Sequence, residues 1–192
     1  MATKSSIIGS SAHGSVDALL DAFHTAATNG DLKGYFGCYH KDGRFLGTDA
    51  TENWHVNEFF DFAKPHFATG SGWEYRPIAG SRKVTYLPSE IAPAYCVFDE
   101  LLESADFLAT SRGSGTLVLT NGAWHVLQYH LTFPIPNDLA KAMTAKIAQF
   151  ELKTKDVAAA DAAAKLIDEW ALEEDAKPSA AKPSKKRSGK KK

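Results

Sequence analysis

Three residues have the chemistry to move a proton: Asp49, Glu100 and His130. Asp49 follows Gly47-Thr48 at the exit of a short strand-like run. A carboxylate there serves acid–base work at a pocket mouth, or simply caps the loop that leads to the next helix. Glu100 alternates with Phe98 and Leu102, so on a strand it shares their apolar face and is buried or faces a cavity. Burial without a partner raises a carboxyl pKa and suits proton transfer. Burial beside a cation, Arg112 on the following strand or Arg82, makes a structural ion pair instead. His130 falls on the face of Trp124, Val126 and Gln128 by strict alternation. An imidazole there shuttles protons near neutral pH or is a hydrogen-bonded core residue. Arg112 opens Arg-Gly-Ser-Gly, where Gly113 and Gly115 mark a bulge or a close backbone approach. It is placed to steady an oxyanion or a ligand carboxylate. Arg82 and Gln128 complete the polar set, and Tyr35, Trp54, Phe62 and Trp73 are walls for a flat ligand or ordinary core. His24, next to Phe23, reads as facing water.

Other chemistries find no support. The seven histidines are scattered, and Cys38 and Cys96 match no metal spacing, so neither a metal nor a cofactor is expected. Arg-Gly-Ser-Gly is no phosphate loop, since no helix follows it, and Ser114 lies within a strand rather than on a nucleophile elbow.

The elements that must position these residues are helices first, then strands. Ser15 is an N-cap with Asp17 in the first turn, and Val16, Leu19, Leu20 and Phe23 follow at helical spacing. Asn29-Gly30-Asp31 ends this helix, and Asp31 caps a short second one bearing Tyr35, Phe36 and Tyr39. Lys41-Asp42-Gly43 reads as a turn into a short strand at 44–47. Thr51 reads as the cap of a third helix that carries Trp54, Phe59 and Phe62 and is limited by Pro65. Strands are predicted at 73–78, 82–87, 94–102 and 108–119. Asn121-Gly122 is a two-residue hairpin signal, because both positions need positive φ. The strand after it, from Trp124, is apolar on both faces and asks for cover on both, by helices on one side and by something else, such as a second subunit, on the other. Asn137 caps a further helix, with a break expected near 153–156, and 158–171 has high helix propensity.

Hydrophobic content of 44% and aromatic content of 11% suffice for a core. The net charge of −1 hides an asymmetry: residues 177–192 hold eight basic residues and no acidic one. The expected organisation is a flexible leader at 1–14, a domain at 15–138, an Ala-rich helical extension at 139–176 and a disordered basic tail at 177–192. The tail is a solubilising segment, a nuclear-import signal or a weak polyanion binder. No secretory signal or membrane span is read, so a cytoplasmic location is expected, or a nuclear one if the source is eukaryotic.

Several stretches together resemble the SnoaL-like group of the nuclear transport factor 2-like (NTF2-like) superfamily. They include Asn29-Gly30-Asp31, Gly47-Thr48-Asp49, Glu52 with Trp54, the run from Glu58 to Phe67 and Gly72-Trp73. Arg82, Phe98-Asp99-Glu100-Leu101-Leu102, Arg112-Gly113-Ser114-Gly115, Trp124, Gln128-Tyr129 and the run from Pro134 to Asp138 continue the match. The resemblance implies an α+β cone, with N-terminal helices in the concave face of a strongly curved, mostly antiparallel sheet. It implies a homodimer through the sheet's outer face, and for Asp49 the role that acidic residues play in isomerases of this fold. One fold hosts many activities, so function rests on the site. Three readings stand: a binder of a small apolar or carboxylate-bearing ligand, a cofactor-independent isomerase, cyclase or dehydratase, and a dimerisation scaffold that displays the tail. An open cavity with an unpaired, shifted carboxylate favours the enzyme, a cavity with Glu100 and Arg112 locked together favours the binder, and a filled cavity favours the scaffold.

Overall fold

The computed structural model describes residues 15–70, 72–88 and 94–175. The leader at 1–14 and the basic tail at 177–192 lie outside the described residues. Helix α1 spans Val16–Thr28, and the Ser15 side chain accepts a hydrogen bond from the Ala18 N–H at 3.1 Å. This satisfies one of the amide groups a helix start leaves unpaired. Gly30 takes a positive φ of 65°, and Asp31 caps α2 (Leu32–Gly37) through the Gly34 N–H at 2.9 Å. Strand β1 runs Tyr39–Leu46, so Lys41-Asp42-Gly43 lies inside the strand rather than forming a separate turn. The short β2, Asn53–His55, pairs back onto it.

The third helix, α3 (Val56–Phe67), is capped by His55 and not by Thr51. The His55 ring accepts from Asn57 N–H, and Glu58 accepts from the His55 N–H at 2.7 Å, a reciprocal capping box. Pro65 is accommodated in the last turn instead of ending the helix before it. Strands β3 (Tyr75–Pro77), β4 (Lys83–Leu87), β5 (Tyr95–Ser104), β6 (Ser111–Thr120) and β7 (Ala123–Thr132) follow.

The sheet order is β2-β1-β7-β6-β5-β3, with β4 also on β5. All pairings are antiparallel except β1 with β7. Asn121 (φ 53°) and Gly122 (φ 78°) make the tight β6–β7 turn with positive φ at both central positions. The architecture is α+β, with the N-terminal helices against the inner face of a curled, open sheet. Val16, Leu19, Leu20 and Phe23 of α1 join Phe59 of α3 and Phe98, Leu102, Leu117 and Val126 of the sheet in one core. Each fully buried side chain of this kind stabilises by about 1.5–3 kcal/mol.

One feature of β7 decides what faces that core. Thr116 pairs with Gln128 and Leu117 pairs with Val126, so Leu127 is an extra residue in the ladder. A bulge of one residue reverses which face the following side chains take. Trp124 and Val126 point inward before it, and Tyr129 and Leu131 point inward after it. Gln128 is therefore exposed and His130 is on the outer side, half-buried opposite Ser114. The two apolar faces of this strand are largely one inner face that changes parity at Leu127.

A separate unit begins at Ile135. Its helix α4, Asn137–Asp175, is continuous, and the break expected near 153–156 is not there. Among the described residues no helix is long and apolar enough to cross a membrane.

Candidate functional site

The inner face of the sheet, α1 and α3 enclose a cavity of about 400 Å³. Its walls are aromatic because α1, β1, β2, α3 and β7 each turn rings toward it. Tyr35, Trp54, Phe62 and Trp73 line it, together with Phe23, Phe45, Phe59, Tyr75, Phe107 and Tyr129. Several rings are close to parallel. Phe45 and Phe59 stack at 3.9 Å with 7° between planes, Phe59 and Trp73 at 5.7 Å with 6°, and Phe45 and Tyr129 at 6.3 Å with 3°.

At the inner end the walls become polar. His24 lines the cavity and is only 6% exposed. Its Nε2 is 2.6 Å from Glu100 Oε1. Glu100 is fully buried, and its second oxygen accepts from Arg82 Nε at 2.8 Å. The two remaining guanidinium nitrogens of Arg82 bond Asp17 and Asp21 of α1, each at 2.9 Å. Burial alone would raise the Glu100 pKa, but the His24 and Arg82 bonds and charges outweigh it and hold the carboxyl below its ordinary range. The Tyr129 hydroxyl is pushed well up, first by burial and then by the Glu100 charge.

Gly113 gives this corner its room. A Cβ there would collide with the Tyr129 hydroxyl, and one at Gly115 would strike the Gln128 carbonyl. The two strand glycines thus mark a close approach, one of the two readings their spacing allowed.

The partner of Glu100 is Arg82, with His24, and not Arg112. Glu100 pairs across the ladder with Gly113, whereas Arg112 lies opposite Leu101 and is exposed on the outer face. Gln128 and His130 are likewise outside the cavity lining, for the parity reason given above. Asp49 is exposed, and its Oδ1 accepts from the Thr51 N–H at 2.8 Å and hydroxyl at 2.6 Å. Those bonds lower its pKa, and it is a loop-forming residue next to the lining residues Thr48 and Glu52. His24, read from sequence as water-facing, is the largest correction. Leu20, His24 and Ala27 stand at i, i+4 and i+7, so the buried stripe of α1 is wide enough to take both Phe23 and His24.

The rim carries Thr48, Glu52, Asp106 and the half-exposed rings of Phe62 and Phe107. Among the described residues no lysine or arginine lines the cavity, and Arg112, the residue expected to hold a ligand carboxylate, is outside it.

A model of the SnoaL-like domain matches residues 16–136. The chain belongs to the SnoaL-like domain family. No curated protein matches it. Among solved structures it is similar to an NTF2-like protein of unknown function from Pseudomonas putida KT2440, at 12% identity and a TM-score of 0.51, over 64% of this chain and 86% of that one. A protein of unknown function from Pectobacterium atrosepticum SCRI1043 matches at 17% identity and a TM-score of 0.48, over 62% and 88%. One with a cystatin-like fold from Nostoc punctiforme PCC 73102 matches at 12% and 0.47, over 62% and 88%. These likenesses concern the SnoaL-like fold and carry no activity to this chain.

Proposed function

We propose that this SnoaL-like domain binds a small, flat, largely apolar molecule in the aromatic cavity. The observation that carries the reading is an open space of about 400 Å³ walled by near-parallel rings and closed at one end by a satisfied polar network. A core meant only to support a scaffold would be filled by its own side chains. Glu100 is locked by two partners and shifted toward the anion, so it is a positioning residue rather than the acid or base. Native mass spectrometry of the never-denatured protein tests this. The expected result is a reproducible extra mass that disappears on denaturation, or binding of flat aromatics in a ligand-observed NMR screen. A bare protein that binds none of them contradicts it.

A second reading has a specific observation behind it: a cavity-wall histidine whose Nε2 is held on a buried carboxylate. That bond fixes the tautomer and leaves the other nitrogen as the basic one. Such a group suits cofactor-independent proton transfer of the isomerase, cyclase or dehydratase type. Deuterium exchange into the activated carbon of 2-tetralone is the assay. His24→Gln should slow it by about 100-fold or more, while Asp49→Asn and His130→Gln leave it unchanged. Equal losses in all three would refute the assignment.

The same reading includes a homodimer through the sheet's outer face, where Leu87, Tyr95 and Val97 are exposed on adjoining strands. Sedimentation velocity should give a dimer that Val97→Lys shifts to monomer.

A further inference from the structure

The charge of the ligand is legible in the cavity's own chemistry. This inference rests on the binding reading above. Among the described residues the acidic lining groups, Glu52 and Asp106, stand at the rim, and no lysine or arginine lines the cavity with them. Both act on the same point: burial first, then the carboxylates of Asp106 and Glu52, raise the pKa of the rim residue Tyr75. The positive charge nearest the inner end, Arg82, is spent on three carboxylates. Glu100, in turn, has one oxygen bonded to His24 and the other to Arg82 and offers nothing to a second cation. Ring faces present negative quadrupole charge to whatever lies against them, and two of the rim rings, Phe62 and Phe107, are 42% and 45% exposed. Rings and carboxylates together attract a cation and repel an anion, most strongly where water is displaced.

We propose that the ligand is a flat apolar molecule with one positively charged nitrogen, its body between the aromatic walls and its charge at the Glu52–Asp106 rim. A ligand of this class explains why rings and acids share one mouth. It also reverses the ligand charge that the arginines of the sequence suggested.

The test uses the full chain and three probes on one frame: 2-naphthylmethylammonium, 2-naphthylmethanol and 2-naphthoate, titrated by calorimetry at neutral pH. The cation should bind tightest, about tenfold or more tighter than the carboxylate, with the alcohol between them. The double variant Glu52→Gln with Asp106→Asn should remove most of the cation's advantage and leave the alcohol unchanged, which also shows that the variant is folded. An alcohol that binds as tightly as the cation, a carboxylate that binds tighter, or a double variant that weakens all three alike overturns the proposal and leaves the cavity a binding site. Binding of none of the three overturns the binding reading and this proposal with it.

Discussion

Two groups of polar side chains lie on opposite sides of the same sheet, and they obey different rules. His24, Glu100 and Arg82 meet on the inner side, where Glu100 has no exposed surface and each of its oxygens has a partner. Arg112, Gln128 and His130 stand on the outer side, half-buried or exposed. The sequence alone makes the second group look at least as functional as the first. Buried charges must be paired and fixed, so the inner set is rigid and costly to disturb. The outer set has water for a partner and tolerates change. Location relative to the core, more than residue type, separates a site from a surface.

The sharpest way to break this comparison is to truncate one member of each set. Glu100→Ala leaves His24 and Arg82 facing an empty buried site and should cost about 3 kcal/mol or more in urea unfolding. Arg112→Ala and His130→Ala should each fall within about 0.5 kcal/mol of the parent. Equal costs on the two faces would mean that the inner network is not what holds this corner. Next in size is Gly113→Ala, which drives a methyl into the Tyr129 hydroxyl and should cost about 1–3 kcal/mol. Adding Tyr129→Phe should recover part of that loss, and a double-mutant cycle measures the coupling.

A pH series sharpens the same point. The Glu100 pKa is lower in the folded protein than in the unfolded chain. Its contribution is therefore complete above the unfolded value, about 4.3, and is lost as pH falls through the folded value. Stability should fall with acid over that range, and Glu100→Gln should flatten the fall. A variant with the parent's acid slope would show that other carboxylates carry it. The smallest effect concerns the thiols. Burial pushes Cys38 up to about 12 and Cys96 up to about 11. Neither should react with a thiol reagent at neutral pH until the protein is unfolded; a fast native reaction at either site would contradict its burial.

Much of the fold was readable because local rules and global packing agree. Ser15, Asp31 and Asn121-Gly122 act as the cap, the cap and the turn that their types require. Burial of Cys96, Phe98, Glu100 and Leu102 on alternate positions of β5 follows from period two. The failures have one physical root each. Strict alternation puts Gln128 and His130 on the face of Trp124, but the ladder holds an extra residue at Leu127 and reverses them. Thr51 reads as a cap because β2, only three residues long, gives no periodic signal, and the cap in the structure is an imidazole. His24 reads as water-facing because a polar residue beside Phe23 looks like a helix edge, yet the partner that makes its burial possible is 76 residues away. Tyr35, Trp54, Phe62 and Trp73 line the cavity, but their size alone left wall and core equally open. The rim acids Glu52 and Asp106 were not legible, since loops bring them to the cavity and no local pattern announces it.

The most direct measurement is the side-chain NMR of the histidines during titration with 2-naphthylmethanol, with His24 and His130 assigned by single substitutions. The cavity account predicts that the His24 ring resonances move to saturation with the binding isotherm while those of His130 stay in place. Movement of His130 with His24 unchanged, or saturation of the protein with neither ring affected, would contradict the claim that the inner network forms the polar end of the site.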